Sequence, residues 1–162
     1  MAETNPHLKL ELPSDTTIQM ARFFEAPRHL LFEAHSKPEH LRQWWGQRDA
    51  PLSVCDIDFR VGGAWRFVQR STGTGEEFAF HGEFREIIPD ERITWTFEFE
   101  GMPGHVSVER MSFIEQPEGT LLVSLATFDS KEDRDAMLES GMEAGAAESL
   151  DRLGELVAML RA

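Results

Sequence analysis

Three polar residues that could do acid–base or ligand-anchoring chemistry lie in stretches typical of apolar strands. His81 stands beside Gly82 in the middle of one strand-like run, where a ligand or a neighbouring backbone could come close. Glu109 and Arg110 are adjacent in another run, so their side chains must point to opposite faces of a sheet. An inward Arg110 would hold an anionic group of a ligand, whereas an inward Glu109 would act as a base. His81 and Glu109 are therefore the candidate catalytic residues, and the alternative that Glu109 and Arg110 are both solvated at a strand edge stays open.

Other residues of chemically reactive types are expected to have structural roles. The sequence contains no tyrosine and none of the common nucleophile, zinc-protease or phosphate-loop motifs. His35 and His40 are five residues apart across a break between two helices, which is a poor spacing for metal ligands, so we expect no metal and no cofactor. Asp56 and Asp58 share one face of a strand and are expected on its solvated side. Cys55 has the opposite phase and is expected to be a small buried residue.

The charge of the chain excludes several classes of partner. Its 162 residues carry 16 Lys and Arg against 29 Asp and Glu, a formal net charge of −13. Residues 76–118 contribute eleven of the acids and three of the bases. Such a field repels phosphate backbones, so we expect no nucleic-acid partner. No apolar run approaches the ~20 residues of a membrane span, and the first residues lack a signal-peptide core, so we expect a cytoplasmic protein without membrane insertion.

The predicted elements are one strand, two short helices, six strands and a helix, preceded by a flexible tail over residues 1–13 and forming a single domain over 14–162. Strand-like runs, rich in β-branched and aromatic residues, cover 16–24, 53–59, 64–70, 77–87, 92–100, 106–114 and 120–128. Turn residues separate the last six runs by short connections, which predicts an antiparallel meander.

The C-terminal part of the sequence predicts one long helix. Ser130 supplies an N-cap, and apolar residues then recur at three- and four-residue spacing, so the helix should run about 28 residues. Residues 140–149 are unusually small and include Gly141 and Gly145, four residues apart on one face. A thin helix opposite bulky sheet residues leaves either a close backbone approach or an empty space.

The elements carry local motifs that resemble one superfamily when they are taken in order. The motifs include Phe24-Glu25-Ala26-Pro27, Pro38-Glu39-His40-Leu41, Trp44-Trp45-Gly46, Val61-Gly62-Gly63, His81-Gly82-Glu83-Phe84 and Ser149-Leu150-Asp151-Arg152-Leu153. They resemble the START-like (SRPBCC, helix-grip) superfamily and, within it, the branch similar to the activator of the heat-shock-protein ATPase. The resemblance covers nearly all of residues 16–160. It implies an α+β, START/Bet v-like fold in which a curved antiparallel sheet of about seven strands wraps around a long C-terminal helix, with two short helices between the first two strands.

The resemblance also implies a cavity between the sheet and the C-terminal helix. This branch commonly carries a Gly-Trp pair in that helix, whereas this sequence has Gly145-Ala146, so a large side chain is missing there. We expect the cavity to bind a small hydrophobic molecule through aromatic and methionine side chains. The expected ligand-binding residues are Trp65, Phe80, Phe84, Trp95, Phe97, Arg110, Met111, Phe113, Met142 and Ala146.

Three functions stay open, of which we favour the first. The chain could bind a hydrophobic or amphipathic ligand, anchored by His81, Glu109 or Arg110. It could be a cyclase- or hydrolase-like enzyme acting on an aromatic or polyketide-like compound, as the resemblance implies for some relatives. It could be a stress-related, chaperone-associated regulatory partner, which the name of the branch suggests and the acidic segment 76–118 favours. A free sheet edge would also permit a homodimer.

Overall fold

An antiparallel sheet of eight strands dominates the structure, a computed structural model that describes residues 8–161. Four helices complete this part of the chain. The elements are β1 (Lys9–Glu11), β2 (Thr17–Phe24), α1 (Arg28–Ser36), α2 (Pro38–Trp44), β3 (Leu52–Ile57), β4 (Ala64–Arg70), β5 (Glu77–Ile88), β6 (Arg92–Phe99), β7 (Val106–Gln116), β8 (Gly119–Thr127), α3 (Lys131–Glu139) and α4 (Met142–Arg161).

The strand order β1-β2-β8-β7-β6-β5-β4-β3 confirms the predicted α+β helix-grip fold. Strands β3 to β8 follow one another as a meander, and β8 then pairs with β2 near the far edge. The helices α1 and α2 therefore carry the chain across the sheet from β2 to β3. A register shift in β5 between Phe84 and Glu86 marks a bulge, which bends a strand and helps the sheet to curve.

The N-terminal tail is the first feature that differs from the sequence prediction. Within the predicted flexible segment 1–13, residues 9–11 form β1 and pair antiparallel with residues 19–21 of β2. Leu10 lies opposite Met20 and is half-buried, while Lys9 and Glu11 are exposed. Pairing satisfies backbone groups that an edge strand would otherwise leave free. The prediction is therefore wrong for β1, and residues 1–7 of it lie outside the described residues.

The C-terminal helix is the second feature that differs, because it is two helices. The first, α3, ends at Glu139, and α4 begins at Met142. Between them Gly141 has φ of +86°, a left-handed conformation that glycine adopts without the steric cost of a Cβ atom. The predicted helix of about 28 residues is therefore replaced by helices of 9 and 20 residues.

We expect Gly141→Ala to lower the free energy of unfolding by about 1–2 kcal/mol, because alanine must adopt the left-handed conformation there. Apart from its chain neighbours, no described residue comes within 4 Å of the added Cβ atom, so the cost comes from the backbone alone. Gly141→Asn is the matched variant and should lose less, since asparagine tolerates this conformation. Urea unfolding measures both. A stabilised Gly141→Ala variant would contradict the break and would indicate a preference for one continuous helix.

The core lies between the helices and one face of the sheet, which we call the inner face and which carries Trp65, Phe67 and Trp95. Cys55 of β3 joins this core as expected, and Asp56 and Asp58 are exposed. The helices contribute buried apolar side chains to the same cluster, among them Leu31, Ala34, Leu41, Trp44, Leu153, Leu156 and Val157.

Candidate functional site

The direction in which α4 crosses the sheet follows from the contacts at its two ends. Arg161 in its last turn donates a hydrogen bond of 2.7 Å to the carbonyl of Glu25, just after β2. Asp133 of α3, which leads into α4, forms an ion pair of 2.8 Å with His105 in the β6–β7 turn. The helix therefore begins at the end of the sheet that carries this turn and ends beside the β2–α1 junction.

Inner-face side chains are buried towards the C-terminal half of α4 and partly exposed towards its N-terminal end. At the C-terminal end of the helix, Phe113 and Leu153 are 2% and 0% exposed. At the N-terminal end, inner-face residues of three strands and the facing residues of the helix keep part of their surface exposed. We refer to the region bordered by these partly exposed residues as the groove; they are Phe80 of β5, Phe97 and Phe99 of β6, Glu109 of β7, and Met142, Gly145 and Ala146 of α4.

A continuous set of aromatic rings forms the floor of the groove. The ring centroids of Phe80 and Phe97 are 5.4 Å apart, and those of Phe80 and Phe99 are 5.3 Å apart. Trp45, after α2, packs edge-on against Phe80 at 5.5 Å and closes one side. Behind these rings, the ring centroid of Trp65 lies 5.7 Å from that of Phe97. The floor is therefore apolar and rigid, because each ring is held by its neighbours.

Gly82 makes room for this aromatic floor. It lies opposite Trp65 in the β4–β5 pair, and the indole Nε1 of Trp65 crosses it to donate a hydrogen bond of 3.2 Å to the carbonyl of Thr96. The same indole stacks on Trp95 at 4.1 Å between ring centroids. The close approach expected at this glycine is therefore made by a tryptophan and a carbonyl of the chain itself.

Glu109 brings a carboxylate to the inner face. Trp95 Nε1 donates to its Oε1 at 2.8 Å, and Ser124 Oγ donates to its Oε2 at 2.6 Å. Its inward phase follows from β7, where Met111 and Phe113, two and four residues further on, are both buried. The residue remains partly exposed.

Arg110 lies on the opposite face, and the prediction that it lines the cavity is wrong. Its neighbours in the sheet register are Thr94 and Leu125, whose positions also fall on the outer face. The residue is exposed. The hydrogen bond from Arg92 is the main cause that lowers the pKa of Glu86, and the charge of Arg110 makes a smaller contribution in the same direction. The inward phase of Glu109 makes this outward orientation necessary.

His81 also lies on the outer face, so the candidate catalytic role proposed for it in the cavity is wrong. Its Nδ1 is 3.0 Å from Glu100 Oε2 and its Nε2 is 3.2 Å from Glu98 Oε1. Arg66 donates two hydrogen bonds to Glu100 and, with help from His81, lowers the pKa of that carboxyl to about 2. The histidine therefore belongs to a surface ion cluster.

The predicted ligand-binding residues divide into three groups. Arg110 lies on the outer face of the sheet. Four residues border the groove, namely Phe80, Phe97, Met142 and Ala146. The other five are buried in the core behind it: Trp65, Phe84, Trp95, Met111 and Phe113. Sequence reasoning missed Ser124, although its signal was a serine in phase with Leu122 in an apolar strand. It also missed Phe99 as part of the floor.

The acidic segment 76–118 forms many of its ion pairs within the sheet. Glu83 pairs with Arg85 at 3.2 Å, and Glu86 pairs with Arg92 at 2.8 Å. Pairing of this kind reduces the charge that a partner protein could recognise. Within residues 8–161, no three His, Cys, Asp or Glu side chains gather as metal ligands would. None of the helices in the described part of the chain combines the length and apolarity needed to cross a membrane.

Comparison with protein families identifies the relatives of this fold. The family model described as "Activator of Hsp90 ATPase homolog 1-like protein" matches residues 25–158, from the end of β2 to the last turns of α4. The chain belongs to this family. The match confirms the resemblance to the START-like superfamily that the motifs indicate. Curated proteins offer no significant match to the sequence.

Solved structures of bacterial proteins share the fold over nearly the whole chain. A protein of Rhodobacter sphaeroides is 22% identical, with a TM-score of 0.88, over 94% of this chain and 99% of its own. One from Nitrosomonas europaea is 22% identical, with a TM-score of 0.81, over 93% and 99%. One from Chromobacterium violaceum is 27% identical, with a TM-score of 0.76, over 89% and 98%. These similarities establish the architecture of the family member described here.

Proposed function

We propose that the chain binds a hydrophobic or amphipathic small molecule in the groove between the inner face of the sheet and the N-terminal half of α4. The observation that carries this proposal is the difference between the two ends of the inner face. Rings that point towards the helix remain partly exposed at Phe80, Phe97 and Phe99, while Phe113 and Leu122 are buried. Partly exposed aromatic rings on a concave surface are typical of ligand sites.

The small residues of α4 support the same proposal. Gly145 and Ala146 lie in this part of α4 with almost no side chain, and a Cβ atom added at Gly145 would meet, among the described residues outside its own helix, Gln47 at 3.8 Å. A glycine inside a helix costs about 1 kcal/mol relative to alanine, so the thin segment lowers the stability of the helix. This loss of helix stability is explained if the small residues leave space for a ligand.

Filling the groove with a large side chain should weaken ligand binding. We expect Ala146→Trp to weaken binding of a neutral fluorescent probe, 1-N-phenylnaphthylamine, by about ten-fold or more, because the indole would occupy the space above the aromatic floor. Ala158→Trp is the matched control, since Ala158 lies on the exposed side of α4. Fluorescence titration measures both variants. Equal binding by wild type and Ala146→Trp would place the site elsewhere or remove it.

A cyclase- or hydrolase-like reaction is the second candidate, favoured by the inward carboxylate of Glu109. General acid–base catalysis needs only one well-placed group. Mass spectrometry of a compound that copurifies with the protein, before and after prolonged incubation, would detect a product. If product formed equally in wild type and Glu109→Gln, Glu109 would not be the acid–base residue.

A further inference from the structure

We propose that the ligand of the groove is an amphipathic amine whose ammonium group binds the carboxylate of Glu109. This inference rests on the function proposed above and adds the chemical class of the ligand. It depends on three observations: the hydrogen bonds of Glu109, the placement of the other charges on the inner face, and the aromatic floor beside the carboxylate.

The hydrogen bonds of Glu109 select a donor as its partner. A carboxylate has about four acceptor positions, and Trp95 and Ser124 each occupy one, on different oxygens. Both bonds hold the carboxylate in place without blocking the remaining acceptor positions. The ligand group that meets it must therefore donate hydrogen bonds, which excludes carbonyl, ether and carboxylate heads.

The charges of the inner face select a cation among the possible donors. In the segment 8–161 no ion pair involves Glu109. The inner-face cation Arg22 pairs in register with Leu122, while Glu109 pairs with Ala126, four residues or about 13 Å further along β8. Arg22 itself donates to Asp151 at 2.6 Å. Glu109 therefore has no compensating charge from these residues, and an ammonium group would supply one.

The aromatic floor accommodates the apolar part of the same molecule. Phe97 lies two residues beyond Trp95 on the inner face of β6, and Trp95 is the indole that holds Glu109. Phe80 continues the floor on β5. A cation beside aromatic rings also gains from their negative faces, so the carboxylate and the rings favour the same ligand. An aryl or alkyl amine fits this arrangement, whereas the anionic ligand that an inward Arg110 would have held does not.

Three probes with one apolar skeleton test the inference at pH 7 by isothermal titration calorimetry. They are 2-naphthylmethylamine, 2-naphthylmethanol and 2-naphthoate, which place a cation, a neutral donor and an anion on the same ring system. We expect the amine to bind about ten-fold more tightly than the alcohol, because charge-assisted hydrogen bonds are roughly twice as strong as neutral ones. We expect 2-naphthoate to bind most weakly. Equal affinities, or tightest binding of 2-naphthoate, would overturn the inference.

Glu109→Gln separates the charge from the shape of the side chain. The variant should lower the affinity for the amine about ten-fold, so that the amine and the alcohol bind equally well. Its affinity for the alcohol should stay within about two-fold of that of wild type. Arg110→Gln is the control on the outer face and should change none of the three affinities. If none of the probes binds wild type, the proposed function fails with the inference. If all three probes bind wild type with the same affinity, the proposed function stands and only the inference that the ligand is an amine is contradicted. This comparison uses wild type alone, so it does not depend on whether a variant folds.

Discussion

Replacing Gly82 by alanine should lower the free energy of unfolding by about 3 kcal/mol. The added Cβ atom would lie 1.9 Å from the carbonyl oxygen of Thr96 and 2.6 Å from Nε1 of Trp65. The carbonyl belongs to the backbone of a neighbouring strand, so it cannot move without disturbing the sheet. The indole would have to leave its hydrogen bond and its stack on Trp95. A single methyl group would therefore disrupt the packing of the whole aromatic floor.

Urea unfolding followed by tryptophan fluorescence measures this loss. Gly73→Ala is the matched control, because it lies in an exposed turn where, within residues 8–161, only its chain neighbours could approach an added Cβ atom to 4 Å. We expect the control to change the free energy of unfolding by less than about 0.5 kcal/mol. Comparable stabilities for the two variants would contradict the contacts described around Gly82.

Acidification should destabilise the fold well before the carboxyl groups are protonated. His35 of α1 is 7% exposed and lies between the rings of Trp44 and Phe113, with centroid distances of 4.8 and 5.1 Å. Its Nδ1 donates a hydrogen bond of 2.8 Å to the carbonyl of Leu31. Burial disfavours the charged ring and lowers the pKa of His35 from 6.5 to about 4, against a smaller opposing effect of that hydrogen bond.

The sign of the effect follows from proton uptake. The unfolded chain binds a proton at this histidine near pH 6.5, whereas the folded chain does so only near pH 4. The contribution of neutral His35 to stability is therefore complete above pH 6.5 and is lost as the pH falls from 6.5 to 4. We expect a loss of about 2 kcal/mol between pH 7 and pH 5, and about 3 kcal/mol by pH 4.

Urea unfolding at pH 7 and pH 5 measures this loss, and His35→Phe is the control. The phenyl ring keeps the contacts with Trp44 and Phe113 but cannot take up a proton. The variant should lose about 2 kcal/mol less than wild type over the same pH interval. All other ionisable groups are the same in both proteins, so the difference reports His35. The same pH dependence in both proteins would assign the effect to another group.

The strands were predictable because their sequence pattern has a simple physical cause. Alternation in β6 reflects one covered face, and glycine- and proline-containing turns separate each strand from the next. Three residues of β1 are too few for alternation to show, which is why the sequence predicts a tail there. The break in the C-terminal helix at Gly141 was not predictable for a different reason. Gly141 and Gly145 look alike in the helical pattern, and only the backbone conformation distinguishes them.

The candidate site was predictable in its aromatic residues but not in its polar ones. Alternation places Trp95 and Phe97 on the inner face whatever their partners are. Glu109 and Arg110 are adjacent, and alternation does not decide between them because both phases of β7 contain apolar residues. The donors to Glu109, Trp95 and Ser124, belong to the two neighbouring strands. A single sequence contains no information on which residues of separate strands lie side by side.

The short strand β1 has a further consequence for self-association. It pairs with residues 19–21 of the eight-residue strand β2 and places the charged side chains of Lys9 and Glu11 at this edge of the sheet. Long, apolar free edges recruit strands from other molecules and start aggregation, whereas short charged edges resist it. Three residues near the N-terminus therefore protect this edge of the sheet, and their removal would leave β2 as the edge strand.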